Sequence, residues 1–147
     1  MNTSTDITRR LHEAIMLRDD DGVRGLLAEN AEWDGTTGLP EAGHLRGRDA
    51  IVSQAVAGLR RQWLTWRIVT SRYVDAGDAV IVFGHYEGIS LRSRAFMKAE
   101  FVHVVTVRDG VITSFVEHVD TLRVAEALSR HDDRPARQRR HIVRLPA

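Results

Sequence analysis

Apolar residues recur at helical spacing from the start of the chain. Ile7, Leu11, Ala14 and Ile15 share one face, Thr5 or Asp6 is placed to cap the helix, and the acidic run Asp19 to Asp21 ends it. Asp21 can cap a short second helix striped by Val23, Leu26 and Leu27. Residues 31–35 read as a short strand. The stretch from Gly35 to Gly47 holds four of the eleven glycines and one of the three prolines, which predicts a loop. Residues 48–62 predict a third helix with Ile51, Val52, Ala55, Val56 and Leu59 inward. The period then changes. Residues 64–74, 79–93, 95–107 and 111–120, rich in Val, Ile, Phe, Thr, Trp and Tyr, read as strands separated by Asp75–Asp78 and Arg108–Gly110. Links this short make consecutive strands antiparallel neighbours. Residues 121–129 close with a helix through Leu122, Ala125 and Leu128.

Helices followed by a run of antiparallel strands predict an α+β domain over residues 1–129, a curved sheet with the N-terminal helices across its concave side and a cavity between them. Residues 130–147 change composition: six arginines, two histidines, two prolines and little apolar content mark a separate tail, mobile or packed on a partner.

Composition narrows the chemistry. With 147 residues the chain suits one domain and can bury roughly two thirds of its unfolded surface. The absence of cysteine excludes disulfides, thiolate catalysis and thiolate-ligated zinc. A formal net charge of +1 gives no strong pull toward nucleic acid, and no apolar run approaches a membrane span. Met1 to Asp6 lack the basic-then-apolar order of a secretory signal, so the expected location is cytoplasmic. Neither a metal site nor a phosphate loop is legible.

The most informative strand covers residues 96–107. One face carries Met97, Ala99, Phe101, His103, Val105 and Val107, apolar apart from the histidine, and should point inward. His103 is either a core histidine bonded to a buried neighbour or a pocket acid/base with a pKa suited to proton transfer. On the next strand Val111, Thr113, Phe115, Glu117 and Val119 form the more apolar face. A three-residue loop Arg108–Gly110 pairs Val107 with Val111, sets Phe115 opposite His103 and makes Glu117 its diagonal neighbour. A two-residue Asp109-Gly110 turn shifts the register and favours His118 and Asp120 instead. The three-residue form is expected because it buries Phe115. A carboxylate beside an imidazole in an apolar cavity is an acid/base arrangement, and equally a structural pair. Asp34 is the third candidate, next to the glycine-rich loop; its competing role is a turn aspartate. Trp33, Trp63, Trp66, Tyr73, Tyr86, Phe101 and Phe115 could line a cavity for a flat or polycyclic ligand or serve as core.

Four segments carry a resemblance to the SnoaL-like branch of the nuclear-transport-factor-like superfamily. They are Arg18–Gly22 with Leu26–Asp34, Leu45–Ile51, Phe101–Gly110 and Phe115–Thr121. The resemblance implies a cone-shaped α+β barrel, a homodimer and a pocket at the open end. It also implies a cofactor-free polyketide cyclase that uses a strand histidine and a carboxylate on the next strand; His103 and Glu117 fall there, with Glu in place of the usual Asp. The ketosteroid-isomerase base position falls on Asp34, but Val102 and Leu11 or a neighbour of it stand where that enzyme's oxyanion donors belong, which disfavours a steroid isomerase.

The resulting expectation is a cofactor-free cyclase or isomerase of a largely apolar, oxygenated metabolite such as a polyketide intermediate, working by acid/base catalysis or by holding the substrate folded for ring closure in a hydrophobic pocket. The alternatives are a non-catalytic binding protein, whose pocket is filled by aromatic side chains with His103 bonded to a backbone carbonyl, and an epoxide hydrolase drawing on Asp34, Asp120 and Arg72.

Overall fold

A computed structural model describes residues 3–36 and 43–129. The arginine-rich tail, 130–147, lies outside the described residues. Helix α1 (Ser4–Met16) is capped by Thr3, whose side chain and backbone exchange bonds with Asp6 in a capping box. Helix α2 (Asp20–Leu26) is capped by Asp19, not Asp21. Strand β1 (Leu27–Asp34) follows at once, and the expected loop contains a short strand β2 (His44–Arg46). The expected third helix is broken into α3 (Arg48–Ala50), a π-helical stretch (Ile51–Val56) and α4 (Leu59–Gln62). The wider π winding keeps both neighbouring pairs, Ile51/Val52 and Ala55/Val56, buried. Then come β3 (Trp63–Ala76), β4 (Ala79–Ser90), β5 (Phe96–Arg108), β6 (Val111–Val119) and α5 (Thr121–Ser129).

The architecture is the α+β one the pattern predicts: a six-stranded, curved, unclosed sheet of order β2-β1-β6-β5-β4-β3. Strands β3 to β6 form an antiparallel meander. Strand β1 joins β6 in parallel, a long-range pairing that local turn signals cannot report, and β2 sits at the edge beyond it. Helix α1 packs against β3, β4, β5 and β6. One apolar cluster joins α1 and the π-helical stretch to Trp33, Val105 and Phe115; a second joins β3, β4 and β5 to α5 through Trp63, Tyr86, Phe101 and Val124. Among the described residues no helix is long and apolar enough to cross a membrane.

The β5–β6 hairpin corrects one expectation. The turn is the two-residue one: Arg108 pairs with Val111, and Asp109 and Gly110 both have positive φ, 51° and 79°. Two positive values mark the mirror-image turn whose twist suits a hairpin. The feared loss of Glu117 does not follow, because β6 carries an extra residue. The pairing runs Val107 with Ile112, then Thr106 with Ser114, leaving Thr113 unmatched in a bulge. From there His103 faces Glu117 directly. The bulge also explains why Ile112 and Phe115, an odd number of positions apart, are both buried.

Candidate active site

Three adjacent strands each deliver one polar side chain into the hollow: Tyr86 from β4, His103 from β5 and Glu117 from β6. The alternation of β5 decides the placement of His103, which is 1% exposed between buried Phe101 and Val105. The Phe101 ring stacks on the imidazole at 3.9 Å between centroids. His103 Nε2 lies 3.7 Å from Glu117 Oε2, beyond hydrogen-bond reach, and the Tyr86 hydroxyl bridges the gap. That hydroxyl donates to Glu117 Oε2 and contacts His103 Nε2.

The other nitrogen of His103 is not turned to the hollow. Its Nδ1 lies 3.1 Å from Nε2 of His12, and His12 Nδ1 lies 3.3 Å from the Tyr73 hydroxyl. Tyr73 is half-buried, with the Arg9 guanidinium 4.3 Å above its ring. One file of hydrogen bonds thus runs from Glu117 through Tyr86, His103 and His12 to Tyr73.

Electrostatics separate the members. Burial pushes the Glu117 carboxyl up, but neighbouring His103, the Tyr86 hydroxyl and the Thr36 backbone outweigh it, and the group ends below the ordinary carboxylate value. It is ionised at neutral pH. Burial drives His103 down, with Glu117 opposing only in part. Burial and the nearby His103 take His12 from 6.5 to about 3. Burial raises the Tyr86 phenol, and Glu117 raises it further. The unit is therefore one carboxylate held by neutral donors.

Trp33, Trp63, Trp66, Tyr86, His103, Phe115 and Glu117 border a cavity of ≈ 70 Å³. Tyr86, expected as a wall, is also the polar bridge. Phe101 lies beneath His103 rather than on the cavity surface. Asp34 does not border the cavity. Trp33 is buried and stacks on Phe115 at 3.8 Å, so the next residue along β1 points to the opposite face. Asp34 is there half-exposed and bonded to His44, whose pKa its carboxylate raises. Arg72 and Asp120 are exposed and likewise border no part of the cavity. Among the described residues no group of three or more His, Asp or Glu is arranged to hold a metal ion.

His12 was absent from the expected set. Its sequence signal is faint: Thr8 and His12, four apart beside the apolar stripe, are both fully buried, which places them on the packed side of α1.

A family model described as SnoaL-like domain matches residues 8–115, most of the chain. The chain belongs to that family. Among solved structures, this SnoaL-like domain is similar to an NTF2-like protein from Burkholderia thailandensis, with 31% identity over 88% of this chain and 99% of that one and a TM-score of 0.82. It is also similar to TerC co-crystallised with polyporic acid, at 25% identity over 84% and 96% of the two chains with a TM-score of 0.77. A putative SnoaL-like polyketide cyclase from Shewanella denitrificans shares the fold at 11% identity, over 84% and 95% of the two chains, with a TM-score of 0.73. A comparison with curated proteins finds no match. The SnoaL-like and NTF2-like fold includes polyketide cyclases and isomerases.

Proposed function

We propose that the protein is a cofactor-free cyclase or isomerase of a largely apolar, oxygenated metabolite such as a polyketide intermediate, with Glu117 as its base. The observation that carries this reading is the Glu117 carboxylate, ionised, on the wall of a largely apolar cavity and held there by Tyr86. A carboxylate so placed takes a proton from carbon next to a ligand carbonyl. The C–H electron pair moves into a carbon–carbon double bond and the carbonyl electrons onto oxygen, giving an enolate that closes a ring or is reprotonated elsewhere. Both ring nitrogens of His103 already face Tyr86 and His12. His103 is therefore a positioning residue: it orients the Tyr86 hydroxyl, which holds the carboxylate. Trp33, Trp63, Trp66 and Phe115 supply the flat apolar walls. TerC, which shares the fold, was co-crystallised with polyporic acid, so a protein of this shape holds a small-molecule ligand. The same reading carries a cytoplasmic homodimer, covering Phe83 and Phe96 on the outer sheet face.

Exchange of the C2 hydrogens of 1-tetralone in deuterated water, followed by mass spectrometry, tests the reading. The wild type should catalyse exchange, and Glu117→Gln should lower the rate by about 100-fold or more. Undiminished exchange in Glu117→Gln removes Glu117 as the base. Binding of 1-tetralone without exchange makes the protein a carrier rather than an enzyme.

A further inference from the structure

The cavity does not end at the tryptophans. Ile15, Val56, Leu59, Trp63 and Trp66 border both it and a larger groove of ≈ 780 Å³, so the two spaces meet at these side chains. The inner space is largely apolar, with Tyr86, His103 and Glu117 as its polar side chains. The outer one is different: its charged side chains are Arg18, Arg60, Arg67 and Glu87.

These charges are not equally committed. Arg60 forms a two-pronged pair with Asp20. Arg67 lies 3.3 Å from Glu87, which also accepts from His85 at 3.1 Å. Arg18 has no ion pair or side-chain hydrogen bond among the described residues. It is exposed, and it stands just beyond the C-terminal end of α1 with φ 58°. That left-handed conformation normally falls to glycine at this place in a helix, and a residue with a side chain is strained there. An arginine is thus held at an unfavourable backbone position on the rim of the groove, with its guanidinium uncommitted. Backbone strain of this kind collects at ligand sites. The planar guanidinium matches a carboxylate with two parallel hydrogen bonds.

We propose that the ligand is an amphipathic acid, its apolar ring body lying against the packed Trp63–Trp66 pair and reaching inward, and its carboxylate bound in the outer groove by Arg18. Arg60 and Arg67, neutralised by their partners, frame the groove and leave Arg18 as its source of positive charge. This rests on the pocket reading given above and adds the charge and polarity of what enters it.

Two probes of equal shape separate the possibilities: 4-phenylbutanoate, and its uncharged counterpart 4-phenylbutanamide. Their affinities are to be measured by titration calorimetry on the full chain at low ionic strength. The acid should bind about fivefold more tightly than the amide, and the gap should close as salt is added. Arg18→Gly suits the left-handed backbone, so the fold is not put at risk. It should bring the acid down to the affinity of the amide. Equal binding of the two probes to the wild type overturns the inference and leaves the pocket reading intact, as does an acid preference that survives Arg18→Gly. Failure of both probes to bind sinks the pocket reading and this inference together.

Discussion

His12 Nε2 and His103 Nδ1 meet at 3.1 Å inside the domain, although they stand 91 positions apart in the chain. Two neutral imidazoles can share only one proton between facing nitrogens, so the contact has a direction. Glu117 is ionised and only accepts. Tyr86 gives its single proton to Glu117, so its oxygen must accept from His103 Nε2. His103 Nδ1 is then bare and accepts from His12 Nε2, whose Nδ1 in turn accepts from Tyr73. Every link carries one proton, and all of them point toward the carboxylate. Both histidines should therefore appear in nitrogen NMR as neutral Nε2–H tautomers at pH 7. An Nδ1–H signal from His103, or an imidazolium there, breaks this order.

The same burial sets an acid limit on stability. His12 is protonated near pH 6.5 when unfolded and only near 3 when folded. Below 6.5 the unfolded chain gains a proton that the folded one refuses, so stability falls as pH drops through that window. The loss tends to about 1.4 kcal/mol per pH unit for a group fully responsive in this way. The lowered His103 acts in the same direction. Glu117, held below its ordinary value, adds a loss at lower pH as the folded carboxylate is protonated. Urea unfolding between pH 7 and pH 4.5 should show this decline. His12→Gln keeps an amide donor for His103 and an oxygen for Tyr73 but cannot titrate, so its curve should be flatter. Parallel curves for the two proteins contradict the assignment.

Register on β6 depends on Thr113. The two-residue turn alone would bring Val116 opposite His103, and the unmatched residue moves Glu117 into that place. Deleting Thr113 should give a regular ladder in which Glu117 still faces His103, because only the unpaired position is removed. Nuclear Overhauser contacts between the two strands report this directly. Tetralone exchange should survive within about an order of magnitude, since the facing groups are unchanged. A strand that shifts so that His118 turns inward refutes the role given to the bulge.

How far the sequence reaches can be judged from these same residues. The strict alternation along Phe96–Val107 is a period-two signal with one polar exception, and His103 falls where that signal puts it. Glu117 also reaches the inner face, but by another route than the turn chemistry suggested. A turn one residue shorter and a bulge one residue long together shift the pairing by two, which keeps Glu117 on the inner face but sets it, not Phe115, opposite His103, and a bulge has no sharp local signature. Asp34 failed to reach the cavity because it alternates with the inward Trp33 and so faces the other side of β1, where His44 of β2 takes its carboxylate. His12 was missed for a plainer reason. Its partners lie on β3 and β5, and a helical stripe tells which side is buried but not what it is buried against.

Gly84 supports the site from below. It pairs with Phe101 across β4 and β5. A Cβ at this position would come within 2.3 Å of the Val69 carbonyl oxygen and 2.8 Å of Phe101 Cζ. The carbonyl belongs to the neighbouring strand and cannot move aside cheaply. Gly84→Ala should therefore cost about 1–3 kcal/mol in thermal or urea unfolding. The displaced ring is the one stacked on His103 at 3.9 Å, so the damage should reach the imidazole too. The nitrogen signals of His103 should shift, while those of exposed His118 stay put. Shortening the ring with Phe101→Leu in the same chain removes one of the two close contacts and should recover part of the lost stability. If Gly84→Ala alone is as stable as the wild type, the strands have room to part at this point, and the stacked ring is not what holds His103 in place.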